Sequence, residues 1–405
     1  MNSLLRKSAL FKNVLVVDEN TSMAGAVSVE NGLIAGIIPQ GARLPKGAAV
    51  VIDGSAFGGT PVLMPAFVDL HAHFRDPGFP EKETLESACL AAANGGYGTV
   101  VCMANTRPVI DTFEAAARLK KRADDLGLID LYPALSLTRG MEGASLSGIT
   151  AAPRGHAARL LSEDGKDVAD DALLLAAFNE ASRLGVPVSC HCEALGAEGA
   201  RSAENRGTRR VIDLARRVKG LRCHIAHVST REALSMIRKA KAEGVSLTCE
   251  AAPHHLALTG EDADHLGRGT WGQVNPPLRR EDDRRALIRA VLDGTIDAIA
   301  TDHAPHAGAD KEAGAPGFIG LETSFSVCFT ELVIKARLPL SRLSGLMSAA
   351  PARILGMDDR GIIAPGLRAD LIMVDIQAPS TSGPFKSRGR NSPFQGRALT
   401  GKVLF

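Results

Sequence analysis

The stretch "VDLHAHFRDPG", residues 68–78, is an apolar run that ends in two histidines one residue apart, followed by an arginine and a turn. In a β-strand, residues i and i+2 point to the same side, so a strand here presents His71 and His73 on one face. Arg75 follows on that face, just beyond the strand end. Buried strands that end in polar side chains are typical of parallel sheets that carry a site at their carboxyl edge.

The same pattern recurs along the chain. Between most of the apolar runs lie segments rich in Ala, Leu and Arg with helical periodicity, and several of these end in Gly, a helix stop signal. The further runs are "GTVVCMANT" (98–106), "DLYPALSLT" (130–138), "HAARLLSED" (156–164), "PVSCHCE" (187–193), "RCHIAHVST" (222–230), "SLTCEAAPHH" (246–255) and "DAIATDHAPH" (297–306).

Eight strands that alternate with helices predict an α/β fold, a (β/α)8 TIM barrel over residues 63–355. The alternative is an open doubly wound sheet. No Gly-rich fingerprint follows the first strand to support it.

Both ends of the chain have a different character. Near the N-terminus "NVLVVD" precedes "AGAVSVENGLIAGII", in which Asn31-Gly32 is a hairpin turn signal. The C-terminal part contains "GLRADLIMVDI" (366–376) and "LTGKVLF" (399–405). We therefore predict a small β-sandwich domain built from both termini, residues 1–62 and 356–405.

Composition limits the function classes. The net charge of +2 comes from scattered residues, and the densest charged run, "RREDDRRALIR" (279–289), is typical of a solvated helix face rather than a nucleic-acid site. Seven cysteines without paired spacing favour reduced thiols. The N-terminus has no long apolar region or cleavage site, and no stretch approaches a membrane span. A soluble cytoplasmic protein is expected.

Polar residues end most of the predicted strands, and in a barrel these ends converge on one face. Imidazoles and carboxylates without thiolates favour Zn²⁺ or a neighbouring transition metal at a catalytic site. Cys190 and Cys192 are expected to point away from the face that His191 uses. The residues predicted to meet there are His71, His73, Asn105, Asp164, His191, His227 and Asp302.

This set predicts a hydrolytic site. One carboxylate can bridge two cations, and four histidines with two aspartates are enough for two ions, which lower the pKa of the water between them. The predicted reaction is hydrolysis of an amide-like or ester-like carbonyl, with Asp302 as the proton shuttle. Arg75 suits a substrate carboxylate and so predicts an anionic substrate. Structural or surface roles are expected for His156, His254, His255 and His265, and His224 is expected to face away from the lumen.

At these residues the sequence resembles the amidohydrolase superfamily and, within it, the class I dihydroorotase family. The signatures lie in the family's order and span the barrel and both flanking β segments. They are "DLHAHFRDP" (69–77), "MANTRPVIDT" (103–112), "SEDG" (162–165), "HCE" (191–193), "HVST" (227–230), "PHHL" (253–256), "NPPLR" (275–279) and "ATDHAPHAGADK" (300–311).

The resemblance implies a metal-dependent hydrolase barrel with two zinc ions. His71, His73 and Asp302 would hold the first ion, Asp164 and a hydroxide would bridge, and His191 and His227 would complete the second. For the substrate it implies that Arg75, Asn105 and His306 grip the carboxylate, that Asn275 contacts the pyrimidine ring, and that backbone groups at Pro316 and Gly317 contact it too. The segment "GAPGFIGLET", which contains Pro316 and Gly317, departs from the family's usual sequence.

The implied activity is reversible cyclisation of N-carbamoyl-L-aspartate to L-dihydroorotate in pyrimidine synthesis, with the bridging hydroxide as nucleophile in hydrolysis. Hydantoinase-like and allantoinase-like enzymes are the nearest alternatives. They expect a carboxylated lysine as the bridge, whereas Lys166 lies beyond the strand and Asp164 within the expected position. The remaining alternative is a non-catalytic subunit of aspartate transcarbamoylase. The sequence leaves open whether the chain forms a homodimer or associates with that enzyme.

Overall fold

The computed structural model describes residues 8–59, 61–153, 155–156, 158–380 and 383–405. The first seven residues of the basic N-terminal stretch therefore lie outside the described residues. In the described part of the chain, no helix has the length and apolar character needed to cross a bilayer.

The N-terminal segment forms an antiparallel and parallel sheet around β1. Its strands are β1 (Ser8–Val17), β2 (Ser22–Glu30), β3 (Leu33–Pro39), β4 (Val50–Asp53) and β5 (Pro61–Pro65). The hairpin between β2 and β3 turns at Asn31 and Gly32, whose φ values of 52° and 77° are those of the predicted tight turn.

Eight further strands, counted over the described residues, form the barrel in chain order. They are β6 (Phe67–Ala72), β7 (Tyr97–Cys102), β8 (Asp130–Pro133), β9 (Leu161–Ser162), β10 (Val188–Cys190), β11 (Cys223–Ile225), β12 (Leu247–Ala251) and β13 (Ala298–Ile299). β6 to β8 pair in parallel, and so do β9 to β13. Parallel bridges from Leu135 to Leu161 and from Ala72 to His303 join the two groups. The predicted barrel is confirmed.

Helices connect the barrel strands and cover them. They are α1 (Leu85–Asn94), α2 (Phe113–Leu126), α3 (Asp171–Leu184), α4 (Arg201–Ala215), α5 (Arg231–Ala242), α6 (Pro253–Ala257), α7 (Gly260–Leu266), α8 (Glu281–Leu292), α9 (Gly308–Glu312), α10 (Ser324–Cys328), α11 (Leu340–Ser344) and α12 (Ala350–Ile354), with π-helical turns at Phe329–Lys335 and Gly345–Ala349. Side chains of Thr112, Asp170 and Thr230 cap α2, α3 and α5 at their N-termini.

The C-terminal segment returns to the first sheet. β14 (Leu371–Ser380) pairs antiparallel with β5, and β15 (Leu399–Val403) pairs with β14, so strands from both ends share a seven-stranded sheet. This confirms a β domain built from both termini. Its core contains Phe11, Val16, Val27, Leu63 and Met373.

The apolar run "PVLMPAFVDLHAH", residues 61–73, reads as one strand in the sequence but contains two. The run from residue 61 to 73 divides at Ala66, because the Ala66 amide donates to Asp370 O in the terminal sheet, whereas the Phe67 amide donates to Gly96 O beside the barrel. β5 therefore belongs to the terminal sheet and β6 to the barrel. Periodicity could not show this change of partner, since both halves are apolar.

Candidate metal centre

Three residues of the site have a left-handed backbone and lie within three positions after the end of a barrel strand. Arg75, His227 and Asp302 have φ values of 58°, 29° and 47°, a region that residues other than glycine rarely adopt. Asp69 anchors the first and last strands, because its Oδ1 accepts from the amides of His71 (3.2 Å) and Thr301 (2.9 Å). This contact holds His71 beside Asp302.

Two groups of ligand atoms share His71. The first consists of His71, His73 and Asp302, and the second of His71, Asp164 and His227; in each group all the ligand atoms lie within 4.8 Å of one another. His191 lies beside the second group, with its Nδ1 3.1 Å from His227 Nε2. The structure thus brings all six predicted ligand residues together at one buried mouth of the barrel.

Asp164 lies between the histidines and faces them with both carboxylate oxygens. Its Oδ1 is 3.2 Å from His71 Nε2, 3.5 Å from His191 Nδ1 and 3.6 Å from His227 Nε2. Its Oδ2 is 3.5 Å from His73 Nε2. A carboxylate that presents one oxygen to each neighbouring set has the geometry of a bridging ligand.

The donors in this cluster fit a pair of divalent transition-metal ions. His71 Nε2 and Asp164 Oδ1 are buried and lie 3.2 Å apart without a well-directed hydrogen bond to each other or to any other atom of the described residues, a costly state for polar atoms that metal coordination would relieve. The ligand set of imidazole nitrogen and carboxylate oxygen without sulfur is that of catalytic zinc and related ions. Cys190 and Cys192 are not members of either ligand group.

In three of the histidines, the ring nitrogen that points away from the ligand cluster contacts a side-chain oxygen. His71 Nδ1 lies 3.3 Å from Glu250 Oε1, His73 Nδ1 lies 3.1 Å from Asn105 Oδ1, and His191 Nε2 lies 3.1 Å from Glu193 Oε2. Such partners fix the tautomer, so that the other nitrogen of each ring is free to bind a metal. Glu250 and Glu193 were not among the predicted site residues. A carboxylate inside the apolar run "SLTCEAAPHH" was the available signal for Glu250.

Opposite charges support one another in this cluster. Burial opposes the charged form of His71, but the carboxylates of Asp164, Glu250 and Asp302 hold its pKa well above the ordinary value. Burial likewise opposes ionisation of Asp164, yet His71, His191 and His227 hold its pKa well below its usual range. The carboxylates are therefore ionised at neutral pH, as metal binding requires.

Arg75 and His306 form a corner at the rim of the site. Arg75 Nε donates to Pro305 O (3.1 Å), and its Nη2 lies 3.1 Å from His306 Nε2. Burial lowers the pKa of Arg75 to about 10, which leaves it charged at neutral pH. Burial and the Arg75 charge lower the pKa of His306 to about 3, so that imidazole is neutral. Within the described residues, no carboxylate forms an ion pair with Arg75, and the corner therefore suits an anion.

The other predicted substrate residues have mixed surroundings. Asn105 contacts His73 and Asp164 (Nδ2 to Oδ2, 3.4 Å), so it lies against the ligands rather than against Arg75. Asn275 donates to Glu193 Oε2 (2.8 Å), and its Oδ1 is buried without a hydrogen-bond partner. Pro316 O lies 2.9 Å from His306 Nε2.

The remaining polar residues near the site have other contacts. Lys166 donates to Met141 O (3.2 Å), while Asp164 takes the position between the histidines. His224 lies 3.0 Å from Glu250, behind the ligands, and His255 lies 2.9 Å from Pro276 O.

Comparison with known proteins agrees with this geometry. The model of the amidohydrolase family matches residues 62–404. A dihydroorotase of Clostridium botulinum is 38% identical over 399 residues, which cover 98% of this chain and 96% of the relative. A dihydroorotase of Thermus aquaticus is 40% identical over 383 residues, which cover 87% of this chain and 88% of the relative.

Solved structures share the architecture. The L-hydantoinase of Arthrobacter aurescens superposes with a TM-score of 0.85 at 26% identity, over 98% of this chain and 93% of that one. A dihydropyrimidinase of Brevibacillus agri has a TM-score of 0.86 at 21% identity, over 98% and 92% of the two chains, a likeness of fold alone. With its buried histidine–aspartate metal site intact, the chain belongs to the amidohydrolase family and is a dihydroorotase-like enzyme.

Proposed function

We propose that this enzyme is a dihydroorotase, which interconverts N-carbamoyl-L-aspartate and L-dihydroorotate with two zinc ions. The observation that carries the proposal is the pairing of a ligand cluster that has a carboxylate between its histidines with a half-buried arginine that has no acidic partner in the described chain. Relatives named dihydroorotase at 38–40% identity support the choice of substrate.

The ligands divide between the two ions as follows. His71, His73 and Asp302 would hold one ion, His191 and His227 the other, and Asp164 would bridge them. When bound, the ions would polarise the reacting carbonyl and lower the pKa of a water held between them.

Asp302 is the proposed general acid and base. Its Oδ1 lies 3.1 Å from His73 Nε2, so the carboxylate is at the ligand cluster itself. In hydrolysis, Asp302 accepts the proton of the attacking water and passes it to the ring nitrogen that leaves. In cyclisation it takes a proton from the attacking nitrogen and donates it to the departing oxygen.

Substrate binding is proposed to use the rim. Arg75 and His306 would hold the substrate carboxylate, with Asn105 at the cluster side, and the free Asn275 Oδ1 would accept from a ring N–H. Contact of the ring with backbone at Pro316 and Gly317 stays a proposal. Gly317 has a φ of 139°, and a Cβ there would meet the Ala304 Cβ at 2.6 Å, so the backbone at this point requires glycine.

The charges of the two substrates give the pH dependence. N-carbamoyl-L-aspartate carries two carboxylates and dihydroorotate carries one, so ring closure consumes one proton. The equilibrium therefore shifts toward the ring as pH falls and toward the open chain as pH rises. The test is the equilibrium ratio of the two compounds at about pH 6 and about pH 8, on either side of neutrality. The same ratio at both pH values would contradict this stoichiometry.

Other aspects of the proposal rest on separate features. All seven cysteines are unpaired and buried, which supports a reducing compartment such as the cytoplasm. The intact ligand set argues against a non-catalytic subunit of aspartate transcarbamoylase. A hydantoinase-like activity is less well supported, because Asp164 rather than a lysine stands between the histidines.

The test is turnover of L-dihydroorotate against neutral hydantoin and dihydrouracil, with metal content measured on the same preparation. We expect hydrolysis of dihydroorotate at two zinc ions per chain. Arg75→Ala should raise KM for dihydroorotate by roughly tenfold to a hundredfold, the loss expected for a charged hydrogen-bonding partner. Arg183→Ala, at an exposed ion pair with Glu180, is the control. Equal rates on neutral rings would overturn the substrate assignment.

A further inference from the structure

A lysine with no exposed surface lies beside the rim. Lys311, on α9, has a relative exposure of 0%. Its Nζ donates to three carbonyls, those of Gln273 (2.8 Å), Ala315 (2.8 Å) and Gly317 (3.1 Å). Burial of an ammonium group is expensive unless its donors are satisfied, so this lysine fixes the three carbonyls around itself.

A second side chain reaches the same carbonyl from the C-terminal segment. Asn391 is 2% exposed, and its Nδ2 donates to Gly317 O (3.0 Å) and Ala304 O (2.8 Å). Its Oδ1 accepts from the amide of His306 (3.2 Å). One amide side chain therefore ties His306 directly to the segment that contains Gly317.

These contacts converge on the Arg75–His306 corner. The segment Ala315–Gly317, held by Lys311 and Asn391, carries the Pro316 carbonyl that lies 2.9 Å from His306 Nε2. His306 in turn lies 3.1 Å from Arg75 Nη2. The Gly317 amide donates to Gln273 O, which Lys311 also binds. The network is closed, and none of its members is a metal ligand.

We propose that Lys311 and Asn391 are positioning residues that hold His306 and Arg75 in the geometry that binds the substrate anion. This inference rests on the proposed function and adds two residues to those that determine its specificity for an anionic substrate. Lys311 places a positive charge behind the corner, and Asn391 couples the terminal β domain to it. Loss of either leaves the Gly317 carbonyl with one donor fewer and frees the Pro316 carbonyl to move away from His306.

The test uses Lys311→Met, Asn391→Leu and the double variant of the full chain loaded with zinc. We expect KM for dihydroorotate to rise by roughly tenfold in each single variant, the low end for a lost charged hydrogen bond. kcat should fall much less than that, with metal content unchanged. Because both side chains bind the same carbonyl, the double variant should raise KM less than the product of the two single effects. Lys239→Met, at an exposed lysine on α5, is the matched control.

A second measurement does not depend on substrate. Hydrogen exchange should become faster at the amides of Gly317, His306 and Ala304 in both single variants, and stay unchanged on β10 and β11. Faster exchange in the variants would support the hydrogen-bond network even if the wild type did not turn over dihydroorotate. That lack of turnover would refute the proposed function. Unchanged KM together with unchanged exchange would overturn the inference. A fall in kcat and in metal content as large as the rise in KM would also overturn it, since that marks general unfolding.

Discussion

At the scale of single residues, the site depends on oxygens behind the ligands as much as on the ligands. Glu250 is 1% exposed and links His71 Nδ1 (3.3 Å) to His224 Nε2 (3.0 Å), and His224 Nδ1 continues to Thr248 Oγ1 (2.8 Å). The two imidazoles lower the pKa of Glu250 although burial opposes this. This carboxylate therefore fixes the ring of the ligand that both metal groups share.

Glu250→Gln should weaken metal binding by about tenfold to a hundredfold, the usual effect of losing a hydrogen-bonding partner of a metal-bound histidine. Competition with a chelator, followed by metal analysis, measures the change. Glu261→Gln, at an exposed position on α7, is the control. Wild-type affinity in the Glu250 variant would show that His71 needs no such partner.

Asp302→Asn should reduce kcat by a factor on the order of 10² or more, because the amide neither accepts the proton nor ligates metal as a carboxylate does. Steady-state rates with metal content on the same sample separate these two effects. An active Asp302→Asn enzyme, close to wild type, would remove Asp302 from the mechanism.

Residue-level prediction from sequence succeeds where strand periodicity determines the side. His71 and His73 share a face because they are two apart, and His227 rather than His224 belongs to a ligand group because the two are three apart. Asn105 shows the limit of this reasoning. Its position after β7 brings it to the site, but only the rotamer decides that it meets His73 and Asp164.

At the scale of elements, a buried glutamate joins a helix to the loop after β11. Glu204, on α4, accepts from the amides of Ser229 (2.8 Å) and Thr230 (3.0 Å) and pairs with Arg279 Nη2 (3.1 Å). This loop contains His227, whose φ of 29° requires support from its neighbours. Glu204 therefore ties α4 to the strand end that carries a ligand.

Glu204→Ala should lower the free energy of unfolding by about 3 kcal/mol, since it leaves a half-buried arginine without its carboxylate partner and two buried amides without their acceptor. Urea unfolding measures it, and Glu243→Ala, at an exposed ion pair with Arg216, is the control. A midpoint equal to that of the control would show that the remaining contacts of Arg279, to Gly199 O and Ser229, suffice.

The number and order of the elements could be predicted more closely than their lengths. All eight apolar runs of the barrel contain a strand, yet β9 and β13 have only two residues each. Their runs continue as irregular backbone that carries Asp164 and Asp302, and Asp302 has a left-handed φ of 47°. The π-helical turns at Phe329–Lys335 and Gly345–Ala349 have no signal in the helical periodicity either.

At the scale of the whole molecule, the metal cluster ties distant parts of the chain together. The ligands extend from His71 on β6 to Asp302 after β13, so any ion that they hold is bound by the folded barrel and not by the unfolded chain. Removal of zinc by a chelator should therefore lower Tm, by an amount that corresponds to about 2.7 kcal/mol when free zinc had been a hundredfold above Kd.

Differential scanning calorimetry before and after chelation, and after zinc is added back, measures this shift. Calcium, which prefers oxygen ligands, is the control and should not restore Tm. The same Tm in the chelated and the loaded protein would show that the cluster contributes no metal-dependent stability.

The joining of both ends into one sheet could be predicted from composition, because β-rich segments flank the barrel on either side. That the C-terminal segment also reaches the rim could not. The contacts of Asn391 with Ala304 and Gly317 join residues more than seventy positions apart. Asn391 itself lies in a segment between β14 and β15 that has no regular secondary structure. Only the three-dimensional path of the chain shows them.

That path also determines which parts of the site leave the ribosome first during synthesis. The ribosome releases β6 to β13 before Asn391, so a growing chain can gather its histidines while the amide that locks Gly317 is still inside the exit tunnel. The metal ligands can thus come together before Asn391 is available to hold His306 and Gly317 at the proposed anion-binding corner.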